Sequence, residues 1–151
     1  MARHLLVVHH SRTGSTAGLR DEALAGAAEV DVEVRSLGAF DAGVDDVVWA
    51  EAVLLCTPAN FGYMSGALKD FFERIYHACL DRTVGLPYSL LVKGDTDVDG
   101  AVASVERIVA GLRWRLLLPP VTVVGEVKPP DLAAARELGS TVAAYLEAGI
   151  V

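Results

Sequence analysis

Apolar and polar positions alternate along this chain in blocks, each matching one element. Arg3 is followed by His4-Leu5-Leu6-Val7-Val8-His9, a continuous apolar run of the kind found in strands covered on both faces. Thr16 to Glu29 is alanine-rich and predicts a helix. Val30 to Arg35 alternates valine with charge, which predicts a strand with one wetter face near a sheet edge. Asp45 to Glu51 reads as a short helix or turn, and Ala52 to Thr57 as a buried strand. The clearest helix is Ser65 to Asp81, where Leu68, Phe71, Phe72, Ile75, Tyr76 and Cys79 keep the i, i+3, i+4, i+7 spacing.

Leu86 to Val92 predicts a fourth strand. Val102, Val105, Ile108, Val109 and Leu112 then give another helical stripe. Pro119-Pro120 interrupts the chain before a fifth strand, Val121 to Val124, and Pro129-Pro130-Asp131 opens a last helix. Five strands with intervening helices predict a doubly wound α/β sheet in one domain over residues 1–151. Right-handed crossovers then gather the loops at residues 10–16, 58–64 and 93–99 along one sheet edge, where ligands of such folds bind.

Composition narrows the partners. The chain is 52% apolar with a net charge of −7, so an ordered globule is expected and nucleic acid is not. No run is long enough for a membrane span, and none resembles a secretory leader. Cys56 and Cys79 make no metal spacing and no C-x-x-C, so they read as buried thiols of a reduced, cytoplasmic protein.

The first loop carries four hydroxyls in six residues, Ser11, Thr13, Ser15 and Thr16, around Gly14 and beside Arg12. Capping a helix needs one of them. The rest suit an anion held at the helix N-terminus without a lysine. Neither a Walker spacing nor G-x-G-x-x-G is present. Arg12 reads equally as a phosphate contact and as a solvated loop residue. The second loop, Thr57-Pro58-Ala59-Asn60-Phe61-Gly62-Tyr63, puts aromatics and glycine before a helix, which suits a flat organic ring, unless Phe61 and Tyr63 only roof the core. The third loop repeats aspartate at Asp95, Asp97 and Asp99, but the glutamate that would complete a calcium loop is missing, so no metal is expected. His9-His10 lacks a third ligand, and His9 reads as a packing residue.

Val7-Val8-His9-His10-Ser11-Arg12-Thr13-Gly14-Ser15-Thr16 resembles the phosphate-binding signature of flavodoxins, an apolar strand end followed by S/T-x-T-G-x-T. Thr57, Pro58, Phe61, Gly62, Ser65, Gly66, Leu68, Lys69 and Phe72 resemble the corresponding stretch of flavodoxin-fold NAD(P)H-dependent FMN and quinone reductases. The resemblance implies a five-stranded parallel sheet of order 2-1-3-4-5 between two helical layers. It implies FMN, with its phosphate on Ser11, Arg12, Thr13, Gly14, Ser15 and Thr16. The ring would lie against Pro58, Ala59, Asn60, Phe61, Gly62 and Tyr63, and its pyrimidine end against Gly94, Asp95 and Thr96. Three carboxylates in the third loop would lower the flavin potential if they face the ring. The implied activity passes electrons from NADPH or NADH through FMN to a quinone or other small acceptor, with no named catalytic residue and with a homodimer or homotetramer as the assembly. Two other readings stand beside it: a non-enzymatic electron carrier, whose usual third-loop aromatic is absent here, and a partner-binding module without flavin.

Overall fold

In the computed structural model, which describes residues 2–151, strands and helices alternate in the predicted order. They are β1 (Arg3–His9), α1 (Ser15–Ala27), β2 (Val32–Gly38), α2 (Val44–Trp49), β3 (Ala52–Asn60), β4 (Tyr63–Met64), α3 (Gly66–Cys79), β5 (Pro87–Gly94), α4 (Val98–Leu112), β6 (Arg115–Leu116), β7 (Val121–Val124) and α5 (Pro129–Glu147). The parallel sheet runs β2-β1-β3-β5, and its last position is shared by β6 and β7. Counting β6 and β7 as one interrupted strand gives the order 2-1-3-4-5 expected from the sequence.

Strand alternation builds two cores. Leu6, Val8, Val53, Leu55, Leu90 and Val92 face α2, α3 and α4, while Leu5, Val7, Leu54, Cys56 and Leu91 face α1 and α5. Cys56 is fully buried, and desolvation pushes its thiol up to about 12, so it stays protonated. Among the described residues β2 pairs only with β1, and it has no fully buried residue, which explains its charged alternation. Helices α1 and α5 approach so closely that a Cβ on Gly139 would strike the backbone carbonyl of Ala23.

Two local features depart from the sequence reading. The last strand splits because two residues more are needed between Leu116 and Val121 than between their partners Tyr88 and Leu91. Pro119 and Pro120 lie in that bulge and have no N–H to pair. The second departure is in the supposed loop after β3. β3 continues through Pro58, Ala59 and Asn60 and turns back as β4, pairing Ala59 with Met64 and Asn60 with Tyr63. Among the described residues, no helix is long and apolar enough to cross a membrane.

Candidate functional site

The C-terminal ends of β1, β3 and β5 are neighbours in the sheet, so their following segments meet at one edge. After β1 the chain turns through Gly14, whose φ of 92° lies in the left-handed region. Ser11 Oγ accepts a hydrogen bond from Gly14 N–H at 3.1 Å and so shapes the turn. No side chain caps α1, so the hydroxyls are not used as helix caps. The first N–H groups of α1 remain available at the positive end of its dipole. Thr13 is exposed, whereas Thr16 is 3% exposed; both line a cavity of about 430 Å3.

Arg12, Pro58, Ala59, Asn60, Gly94 and Asp95 also line this cavity. Of the residues expected from the sequence, eight are therefore gathered around one space. Ser11 and Ser15 stay in the turn and the first helical position, and Thr96 is exposed in the next loop. Lys93 was missed. It closes the cavity from β5 with a side chain only 14% exposed, and its Nζ donates to Asp95 Oδ1 at 3.0 Å. Its signal in the sequence was a lone cation ending an apolar strand, 77 positions away from the Thr16 that it faces across the cavity.

The tip of the hairpin, Phe61-Gly62, has φ values of 53° and 68°, the pattern of a two-residue type I′ turn. An aromatic residue in the left-handed region is strained, and Phe61 is also fully exposed. Its ring does not roof the core; Tyr63 is 40% exposed beside it. The hairpin is held from below. Thr57 Oγ1 accepts from Ser65 N–H at 3.0 Å and donates to the Pro58 carbonyl at 2.8 Å. Ser104 Oγ accepts from Met64 N–H at 3.0 Å. A Cβ on Gly94 would stand 2.7 Å from that of Ala59, so the ends of β3 and β5 lock together.

The acidic loop divides its roles. Asp97 Oδ1 accepts from Gly100 N–H at 2.9 Å and caps α4, while Asp99 lies exposed in the first turn of α4. Of the three carboxylates, Asp95 alone lines the cavity, where Lys93 balances it. His9 sits under the first loop with Nδ1 3.1 Å from Arg20 Nη1. Burial holds His9 below its ordinary pKa, and the Arg20 guanidinium adds to this, so the ring is a neutral packing group. A further cavity of about 500 Å3 is a groove between α3 and α4 lined by Phe72, Tyr76, His77 and Arg107, away from these loops.

No protein-family model matches the chain. In sequence it is 32% identical over 72 residues to a flavodoxin of Aquifex aeolicus (strain VF5), a match spanning 47% of this chain and 39% of that protein. Across the whole chain the fold is flavodoxin-like. It superposes on an archaeal flavodoxin with a TM-score of 0.83 at 17% identity, covering 95% of this chain and 98% of that one. A WrbA-like flavodoxin of Agrobacterium tumefaciens gives 0.80 at 18% identity, covering 96% and 98%. The apo form of an NADH:FMN oxidoreductase gives 0.79 at 17%, covering 96% and 90%.

Proposed function

We propose that the cavity between the first loop, the hairpin and Lys93 holds FMN, and that the protein is an NAD(P)H-dependent oxidoreductase serving a quinone or other small acceptor. The observation that carries this reading is a helix N-terminus free of any side-chain cap, faced by Thr13, Thr16, Arg12 and Lys93 around one cavity. A cavity of that size lies within the range that takes a small organic ligand. The donors match a dianionic phosphate: backbone N–H groups, two hydroxyls and two cations. Bound FMN would supply the hydride and electron chemistry.

The chain's own residues bind and orient. The hairpin backbone from Ala59 to Gly62 would hold the ring edge, with Phe61 and Tyr63 offering flat apolar surface beside it. The backbone of Gly94, Asp95 and Thr96 would offer hydrogen bonds to the ring carbonyls. Lys93 offsets the Asp95 carboxylate, so the cavity carries less negative charge than the loop sequence suggests. The protein works in the cytoplasm, and a homodimer or homotetramer would shelter the exposed Phe61.

A second reading, an electron carrier without its own nicotinamide chemistry, is favoured by one observation. Fully exposed Phe61 sits at the sheet edge of a chain with net charge −7, a combination suited to transient docking with a cationic redox partner. Anaerobic titration of FMN-loaded protein with NADPH and then NADH separates the two. Rapid bleaching of the visible flavin band is expected for the oxidoreductase and identifies the donor. No bleaching, with a persistent one-electron-reduced flavin on dithionite addition, supports the carrier. Failure to take up FMN removes both.

A further inference from the structure

A second cavity, about 360 Å3, adjoins the first on the other side of Arg12 and Asn60, which line both. Its remaining walls are His10, Phe40, Ser65, Gly66 and Ala67. Phe40 stands on the segment between β2 and α2, 65% exposed, with His10 meeting it edge-on at 5.9 Å and 80°. An edge-on partner leaves a ring face free for stacking. Among the described residues no carboxylate lines this cavity, although the chain carries a net charge of −7. Its polar groups are Arg12, His10, Asn60 and the start of α3. Ser65 Oγ is already committed to Leu68 N–H at 3.1 Å, so the N–H groups of Gly66 and Ala67 are left without a helical acceptor. Nothing lies within 4 Å of a Cβ built on Gly66, so that approach is open.

We propose that this cavity is a second binding subsite, which takes a planar aromatic molecule bearing one anionic group. The ring stacks on Phe40, and the anion meets Arg12 and the N-terminus of α3. Binding here stands on these residues alone. A role as the seat of the oxidising substrate beside the flavin rests on the FMN reading, and the shared Arg12 and Asn60 make that seat contiguous with the proposed flavin cavity.

The test is a titration of the full chain with 2-naphthoate, followed by backbone amide chemical shifts, with the neutral naphthalen-2-ylmethanol as comparison. Saturable shifts are expected at His10, Phe40, Gly66 and Ala67. The neutral compound is expected to bind about tenfold more weakly, the loss typical of one charge-assisted hydrogen bond. Phe40→Ala, at an exposed position that leaves the fold intact, is expected to weaken 2-naphthoate about fivefold. Arg12→Gln is expected to weaken it about tenfold. Equal affinity for the neutral compound, no change in Phe40→Ala, or shifts confined to Thr13, Thr16 and Lys93 would overturn the proposal. Repeating the titration with FMN present separates the two readings. Retained 2-naphthoate binding on FMN-saturated protein supports adjacent sites, and competition between the two ligands counts against them. If FMN does not bind while the shifts appear as expected, the subsite stands and the flavin reading falls.

Discussion

An oxygen of the Asp97 carboxylate lies 2.5 Å from the point where a Cβ on Gly62 would stand. The helix cap of α4 therefore presses on the tip of the hairpin, and the second and third loops form one unit. Gly62 also has a φ of 68°, so alanine there meets both a neighbour and backbone strain. Gly62→Ala is expected to lower stability by about 1–2 kcal/mol, the usual cost of the left-handed region. In an Asp97→Ala background the cost should shrink as the steric part disappears. Urea unfolding of the four proteins checks this, and equal costs in both backgrounds would show that the two loops are independent.

Phe61 is the residue at which stability and function should part. Asparagine is favoured at the first central position of a type I′ turn, and phenylalanine is not. Phe61→Asn is expected to stabilise the protein by about 1 kcal/mol through relief of strain. It is also expected to weaken FMN about fivefold, since a ring contact is lost. Thermal melts and flavin-fluorescence titration measure the two effects. A stabilised variant with undiminished FMN affinity would remove Phe61 from the site.

The cradle assignment predicts distinct outcomes for hydroxyls and cation. Thr13→Ala with Thr16→Ala should reduce FMN affinity at least tenfold, because hydrogen bonds to a charged group contribute about 1.5–3 kcal/mol each. Lys93→Gln should weaken FMN about tenfold and flatten the dependence of affinity on salt, since a partly buried charge is removed. Affinity titrations at low and high ionic strength check both. An unchanged salt slope would place Lys93 away from the phosphate.

His9 links the first loop to pH. Its pKa lies below 6.5 because burial disfavours the imidazolium, with Arg20 and His10 acting in the same direction and Asp21 and Asp41 opposing. The unfolded chain therefore binds this proton more readily than the folded one. Stability from His9 is complete above pH 6.5 and is lost as pH falls through the folded value. Denaturant midpoints of wild type should fall along that descent. His9→Phe, which keeps a ring in the same place, should flatten it.

Local pattern was sufficient for the elements themselves. Buried strands are continuous apolar runs and α3 keeps a helical stripe, so Leu5, Val8, Phe71 and Ile75 could be placed in the core from spacing alone. The first loop was legible because hydroxyls clustered round Gly14 exceed what a helix cap needs. The hairpin was not, since Pro58-Ala59-Asn60 gives no alternation and its pairing with Tyr63-Met64 depends on bracing by Ser104, 40 positions away.

What the sequence by itself determined is the α/β alternation, the single sheet edge that gathers the loops, and the hydroxyl-rich turn after β1, because each follows from short-range periodicity or the steric needs of one residue. Tertiary structure decided the rest. Lys93 faces Thr13 and Thr16 only because β3 lies between β1 and β5 in the sheet. Asp97 leans on Gly62, and Phe40 reaches His10, only because helices and strands far apart in the chain are packed side by side. Charge balance, strain and cavity shape are properties of such distant pairs, and no local pattern along the chain encodes them.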